Sequence, residues 1–156
     1  MSFRVGLGVD AHAFEDGTSL VLGGVAFDSP RGLAGHSDGD VVTHALIDAI
    51  LGAAGLGDIG SLFPSDGSTP KGISSLDLLR DALARAREAG YAVVNADCVL
   101  IGEEPRIAAT RPEMESLLTG LVSAPVTVRA TTTDRLGFTG RGEGLAAQAV
   151  ALLEST

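Results

Sequence analysis

Strand-type apolar runs alternate along this chain with stretches of helical spacing, without a repeated crossover unit, and that alternation predicts an α+β sandwich. Two further observations support a single packed domain over residues 1–156. The 156 residues are 45% apolar, enough for a full hydrophobic core, and no internal repeat or coiled-coil heptad is visible.

The elements follow in order. Phe3 to Val9 alternates as a strand, and its Gly6 and Gly8 mark close approach by a ligand or another backbone. Leu20 to Phe27, broken by Gly23-Gly24, reads as a second strand or a hairpin arm, after which Pro30, Gly32 and Gly35 make a loop that delivers His36. From Asp38 or Asp40 to Leu56 the apolar residues recur with helical spacing, with Asp38 as N-cap and Gly55 and Gly57 as stop signals. Residues 57–72 are rich in Gly, Ser, Pro and Asp, and the anchors Ile59 and Phe63 favour a functional lid.

Ser75 is read as the cap of a second helix to Ala89, with Leu76, Leu79, Leu83 and Ala86 inward and Gly90 as its stop. Its Arg80, Arg85, Arg87 and Glu88 form a solvated face. Tyr91 to Ile101 is a strongly apolar strand, and beyond the loop at Gly102–Arg106, Pro112 opens a third helix through Leu121. Val126 to Ala130 is another strand. Gly142 to Leu153 is expected to be a closing helix, with Leu145, Ala146, Ala149, Val150 and Leu153 inward.

Eleven basic against twenty acidic side chains give a net charge of −9, which argues against a nucleic-acid surface. The single cysteine, Cys98, lies in an apolar stretch and is expected to be an inert core residue. No apolar signal segment opens the chain and no run reaches the length of a membrane span, so a soluble cytoplasmic protein without membrane partners is expected.

All three histidines lie in the first third of the chain, beside aspartates. Imidazole and carboxylate suit a divalent cation such as zinc, and three protein ligands with one open position is a catalytic arrangement. Asp10 and His12, one residue apart at a strand end, share a side if the strand persists. An isolated Asp-x-His reads equally well as a surface turn; joined to His44, the metal reading wins. Asp40, His44 and Asp48 form one row at i, i+4 spacing, either ligands or a solvated face.

A second constellation is Thr131-Thr132-Thr133-Asp134, followed by glycines at 137, 140, 142 and 144. Hydroxyls and backbone N–H groups at a strand end suit phosphate, and a carboxylate beside them suits a hard cation; three threonines also simply favour a strand. No Walker-type loop is present.

Together, Gly8-Val9-Asp10-Ala11-His12-Ala13-Phe14, His36-Ser37-Asp38-Gly39-Asp40, His44, Leu56-Gly57-Asp58-Ile59-Gly60 with Phe63-Pro64, and Ala130-Thr131-Thr132-Thr133 with Leu136-Gly137-Phe138-Thr139-Gly140-Arg141-Gly142-Glu143-Gly144 closely resemble the 2-C-methyl-D-erythritol 2,4-cyclodiphosphate synthase family. The match runs in order through essentially the whole chain. It implies a single-domain α/β sandwich, a mixed β-sheet packed against helices, assembled as a homotrimer with active sites between subunits. It also implies the stand-alone phosphorus–oxygen lyase of the non-mevalonate isoprenoid pathway.

The implied reaction is cyclisation of 4-diphosphocytidyl-2-C-methyl-D-erythritol 2-phosphate to the 2,4-cyclodiphosphate and CMP. By resemblance, Asp10, His12 and His44 hold one zinc per subunit. A second divalent cation, Mg2+ or Mn2+, is held by Asp134, where the family usually has glutamate. His36 and Thr132 match the transition-state stabilising positions, with Ser37, Thr131 and Thr133 beside the phosphates. Asp58, Ile59, Gly60, Phe63, Pro64, Ser65, Asp66 and Gly67 match the methylerythritol site. Gly102, Glu103, Glu104, Pro105, Arg106, Ile107 and Ala108 match the cytidine site. Phe138, Arg141 and Glu143 match residues near the threefold axis, where an apolar cavity can accept an isoprenoid diphosphate. The rival readings are a metal-dependent phosphohydrolase and a non-catalytic trimer that binds isoprenoid diphosphates.

Overall fold

A computed structural model describes residues 1–156. Twelve elements follow in chain order: β1 (Phe3–Asp16), β2 (Leu20–Leu22), β3 (Val25–Phe27), β4 (Arg31–Leu33), α1 (Val41–Ala54), α2 (Ile59–Leu62), α3 (Ser75–Glu88), β5 (Tyr91–Ile101), α4 (Arg111–Val122), β6 (Val126–Thr131), α5 (Gly137–Gly140) and β7 (Gly144–Ser155). Five strands form one sheet in the order β4-β1-β7-β5-β6, and β2 and β3 make a separate hairpin. Only β5 and β6 pair in parallel, so the sheet is mixed. This is the α+β sandwich expected from the sequence, with the helices packed on the sheet.

Strand periodicity assigns the two faces. Gly6 and Gly8 of β1, Ala96, Cys98 and Leu100 of β5, Val126 and Val128 of β6, and Ala147, Ala149 and Ala151 of β7 are buried on the helix side. The register sets Gly6 beside Ala151 and Gly8 beside Ala149, a patch of very small residues against which α1 lies. A Cβ on Gly8 would lie 1.8 Å from the Ala45 carbonyl oxygen, and one on Gly6 1.9 Å from that of Ala49. The close backbone approach expected at these glycines is therefore made by α1 itself. Helix α1 is buried almost all round, with Val41, Val42, Leu46, Ile47, Ile50 and Leu51 in the core. Cys98 is buried, and burial, reinforced by the nearby Asp97 and Asp40, pushes its thiol up to about 12, as fits an inert core residue.

The opposite face of the sheet is bare over β1. Phe3, Val5, Leu7 and Val9 alternate with the buried positions and are 58%, 70%, 63% and 57% exposed, and Val150 of the neighbouring β7 is 45% exposed.

One expected element is corrected. Gly142–Leu153 is not a closing helix: residues 144–155 form β7, the central strand, paired with β1 on one side and β5 on the other. Alanine-rich sequence satisfies helical spacing, but burial alternates through Leu145, Ala147, Ala149, Ala151 and Leu153, so tertiary packing overrides local propensity. Alanine belongs there because α1 leaves no room for larger residues. Gly55 ends α1 as expected, but two helix N-caps are displaced from the residue expected. Asp40, not Asp38, caps α1 by accepting from the Thr43 amide, and Ser74, not Ser75, caps α3 through the Leu76 amide. No helix is long and apolar enough to cross a membrane.

Candidate active site

Because β1 persists to Asp16, Asp10 and His12 project from the same face of one strand, the face turned toward α1. Helix α1 begins at Val41 and presents His44 in its first turn, with Asp40 fixing where that turn starts. The Asp40 carboxylate is fully buried and accepts from the Gly23 and Gly24 amides at 2.9 and 2.8 Å and from the Thr43 hydroxyl at 2.7 Å. It therefore ties the β2–β3 turn to the start of α1. Burial raises its pKa, with the hydrogen bonds opposing.

The three side chains converge. His12 Nε2 lies 2.7 Å and His44 Nδ1 3.0 Å from Asp10 Oδ2, and the two ring nitrogens are 3.1 Å apart. One ligand atom from each lies within 4.8 Å of the others, so the trio could hold a metal ion. Their outer partners test the fit. His12 Nδ1 lies 2.7 Å from the Ala34 carbonyl, which can only accept, so that nitrogen carries a proton and a neutral His12 turns the lone pair of Nε2 inward. Three electron-pair donors facing one point need either a proton or a cation between them. Two imidazoles and a carboxylate form a zinc-type donor set.

Electrostatics agree. Burial would raise the Asp10 carboxyl, but its bonds to His12 and His44 and their charges overcome this and lower it to about 2. The bond to Asp10 is the largest influence raising His12 above 6.5, against the opposing effect of burial.

A cavity of about 160 Å³ opens on the trio, lined also by His36, Ser37, Ile59, Gly60, Phe63, Ser65, Thr69, Ile73 and Leu78. The segment expected to be a lid thus supplies one wall. It is held by Asp48, one turn beyond His44 on α1, whose Oδ1 accepts from the Ile59 amide at 2.7 Å. The row Asp40, His44, Asp48 is accordingly neither a solvated face nor a ligand set, since only His44 joins the metal cluster. His36 Nε2 donates to the Thr69 carbonyl at 2.6 Å. Asp58 caps α2 from the exposed side of the segment and Asp66 accepts from Ser68; neither lines the cavity, nor do Pro64 and Gly67. Thr69, Ile73 and Leu78 carried no sequence signal, because loop folding and helix packing bring them in.

The second constellation lies elsewhere. Parallel pairing of β5 and β6 sets Ile101 beside Thr131, so both strands run out together and the loops beyond them adjoin. The Arg135 amide donates to Glu103 Oε1 at 2.9 Å, joining those loops. Asp134 and Arg135 are left-handed, with φ of 52° and 65°, and the Asp134 amide donates to Thr132 Oγ1 at 3.3 Å. Glu103, Glu104, Pro105 and Arg106 line a concavity of about 600 Å³ with Phe14, Arg31 and Arg135, whereas the Ile107 side chain belongs to the core. Thr131, Thr132, Thr133, Gly102 and Ala108 line neither this concavity nor the metal cavity. Phe138 sits on α5, and Arg141 just beyond it pairs with Glu143 at 2.8 Å.

Within one chain the two constellations do not meet. Thr131 is three strands from β1, roughly 14 Å at about 4.8 Å per strand. It also belongs to the face of β6 opposite buried Val126 and Val128, whereas Asp10 and His12 belong to the helix face.

Comparison with known proteins gives one consistent result. The YgbB family model matches residues 3–154. A 2-C-methyl-D-erythritol 2,4-cyclodiphosphate synthase of Rubrobacter xylanophilus is 55% identical over 158 residues, covering 97% of this chain and 95% of the relative. The bifunctional IspDF of Campylobacter jejuni superposes with a TM-score of 0.95 at 39% identity, over 99% of this chain and 43% of its own. A 2C-methyl-D-erythritol-2,4-cyclodiphosphate synthase structure in a CDP-bound form superposes with a TM-score of 0.87 at 36% identity, over 97% of this chain and 100% of its own.

Proposed function

The chain belongs to the YgbB family, and we propose that it converts 4-diphosphocytidyl-2-C-methyl-D-erythritol 2-phosphate to 2-C-methyl-D-erythritol 2,4-cyclodiphosphate and CMP. An oxygen of the 2-phosphate attacks the β-phosphorus, a new P–O bond forms, and the bond from the β-phosphorus to the bridging oxygen breaks with its electron pair leaving on CMP. The single observation that carries this reading is the convergence of Asp10, His12 and His44 at the mouth of a cavity walled by residues 59–73.

Asp10, His12 and His44 would hold one zinc, which when bound supplies Lewis acidity toward a β-phosphate oxygen. Everything else is positioning and charge neutralisation, as an intramolecular phosphoryl transfer requires. His36, held through Nε2 by the Thr69 carbonyl, and Thr132 stabilise the charge that builds on the reacting phosphates. Ser37, Thr131 and Thr133 add hydroxyl contacts. Asp58, Ile59 and Gly60, with Phe63 through Gly67, receive the methylerythritol end and keep water from the β-phosphorus. Gly102 through Ala108 cradle the cytidine, and the CDP-bound form of a similar synthase supports a cytidine-linked substrate.

Asp134 would carry a second divalent ion, Mg2+ or Mn2+. Magnesium is commonly bound by one or two carboxylates together with substrate phosphates, so a single exposed aspartate beside Thr132 fits. Its left-handed backbone also suits aspartate, which adopts that region more readily than most residues.

The proposed assembly is a homotrimer with the active site shared between neighbours. The bare apolar strip of Phe3, Val5, Leu7 and Val9 supports it, as does the three-strand separation of the trio on β1 from the threonine run at the end of β6. Phe138 and Arg141 would border the threefold axis, where an apolar cavity would accept an isoprenoid diphosphate.

Phosphorus NMR of the reaction run in 18O-labelled water tests the chemistry. Cyclisation predicts CMP and a cyclic diphosphate, neither carrying solvent oxygen. Labelled phosphate products would instead identify a phosphohydrolase, and no turnover would favour the binding protein.

A further inference from the structure

Ser75 is completely buried and does not line the metal cavity, yet its hydroxyl oxygen lies 2.8 Å from His44 Nε2. It is the first residue of α3, set by the fold on the far side of the imidazole from the trio. What that hydroxyl does with its own proton decides the state of the ring. The Asp38 carboxylate takes the proton through a short Oγ–H to Oδ1 hydrogen bond, and its Oδ2 accepts the Ser75 amide at 3.0 Å. Asp38 is itself held by the Asp40 amide at 3.1 Å. With its proton committed to a carboxylate and its side chain completely buried, the Ser75 oxygen can only accept from His44. His44 Nε2 therefore bears the ring proton, and Nδ1, which faces Asp10 and His12, presents its lone pair.

Ser37 also lies within reach of His44 Nε2, at 2.9 Å, but it lines the cavity and its oxygen accepts only weakly from the Gly39 amide at 3.3 Å. Its proton is free for a ligand, so it does not fix the ring as Ser75 does.

We propose that Ser75, backed by Asp38, is the positioning residue of the metal centre: it sets the tautomer and orientation of His44 and strengthens Nδ1 as a donor. The proposal rests on reading Asp10, His12 and His44 as zinc ligands. Partners of this kind, behind ligating histidines, are worth about 10–100-fold in metal affinity. The relay also makes the start of α3 part of the metal site, because one carboxylate both receives the first α3 amide and orients the ligand on α1.

The test is the zinc dissociation constant of the full chain, measured by competition with a chromophoric chelator. Ser75→Ala should bind zinc about 10–100-fold more weakly than wild type with its far-UV circular dichroism unchanged. Asp38→Asn, which keeps the hydroxyl and removes only its charged acceptor, should weaken zinc in the same direction by a smaller factor. In zinc-loaded wild type, long-range 1H–15N correlation should show His44 protonated at Nε2, and in Ser75→Ala that proton should exchange faster. An affinity for Ser75→Ala within about twofold of wild type, or a His44 ring protonated at Nδ1, overturns the relay while leaving the zinc site standing. Failure of wild type itself to bind one zinc per chain overturns both. Should Ser75→Ala not fold, the Asp38→Asn affinity and the wild-type tautomer decide the matter.

Discussion

The residues of the metal trio make different demands on pH. Asp10 is lowered to about 2 and stays ionised through the useful range, whereas His12 is raised above 6.5 chiefly by its bond to Asp10. Above that raised value His12 is already neutral and zinc displaces nothing from it; below it zinc must expel a proton. Apparent zinc affinity should therefore fall by at least about tenfold per pH unit below the His12 pKa. Chelator competition across pH checks this, and a flat profile through the acid limb would show that His12 does not gate the metal. His44→Ala leaves only two protein donors and should abolish stoichiometric zinc and turnover while the chain stays folded; elemental analysis and circular dichroism read the two effects separately. For Asp134, the expected pattern is loss of turnover without loss of zinc in Asp134→Ala and retained turnover in Asp134→Glu. Equal rates for Asp134→Ala and wild type across a magnesium titration would remove the carboxylate from the reaction. At this scale the sequence was most legible for side chains of unusual chemistry. The histidines beside aspartates pointed to the trio, whereas Ser75, legible only as a helix cap, and Thr69 gave no sign of the site because a serine or a threonine carbonyl gains meaning only from what the fold places against it.

Among the elements, α1 and the strands beneath it carry the precision of the site. His44 reaches Asp10 and His12 only because Gly6, Gly8, Ala149 and Ala151 let the helix lie close to the sheet. Gly8→Ala forces a Cβ against the Ala45 carbonyl and should cost about 3 kcal/mol or more, the upper end of overpacking, and it should weaken zinc as α1 is pushed away. By contrast Gly52, in the same helix with open space around its Cα, should accept alanine with a gain of about 0.5–1 kcal/mol. Urea denaturation of the two variants checks the contrast, and similar shifts would mean that close helix–sheet approach is not limiting. Small residues also explain what was legible in the elements. The apolar run of β5 and the amphipathic spacing of α3 were readable because hydrophobic pattern and burial coincide there, and alternation marked β1 as a strand although its apolar residues are the exposed ones. In β7 pattern and burial did not coincide. Alanines chosen for a tight fit under α1 have high helix propensity, so a central strand read as a helix until its partners were known.

For the whole molecule, the central claim is that the catalytic arrangement is completed between chains. One chain brings the trio, His36 and the residues 58–67 segment, while the threonine run leaves the sheet at its far edge strand β6, and the loop after β5 lines a concavity with Phe14 and Arg31. Sheet order and the two faces are unreadable from sequence, since the alanine-rich central strand carries helical spacing, and only family resemblance implies the trimer. The bare apolar strip on β1 gives that resemblance a physical basis. The most direct measurement is complementation between two inactive variants, His44→Ala and Thr132→Ala, co-refolded in equal amounts, with mixed trimers confirmed by mass. In the proposed trimer each shared site would draw its metal half from one chain and its threonine half from the next, so about one site in four pairs two intact halves, and the mixture should recover about a quarter of the wild-type rate. Confirmed mixed trimers without recovered activity, or active enzyme of monomeric mass, would contradict a site shared between subunits.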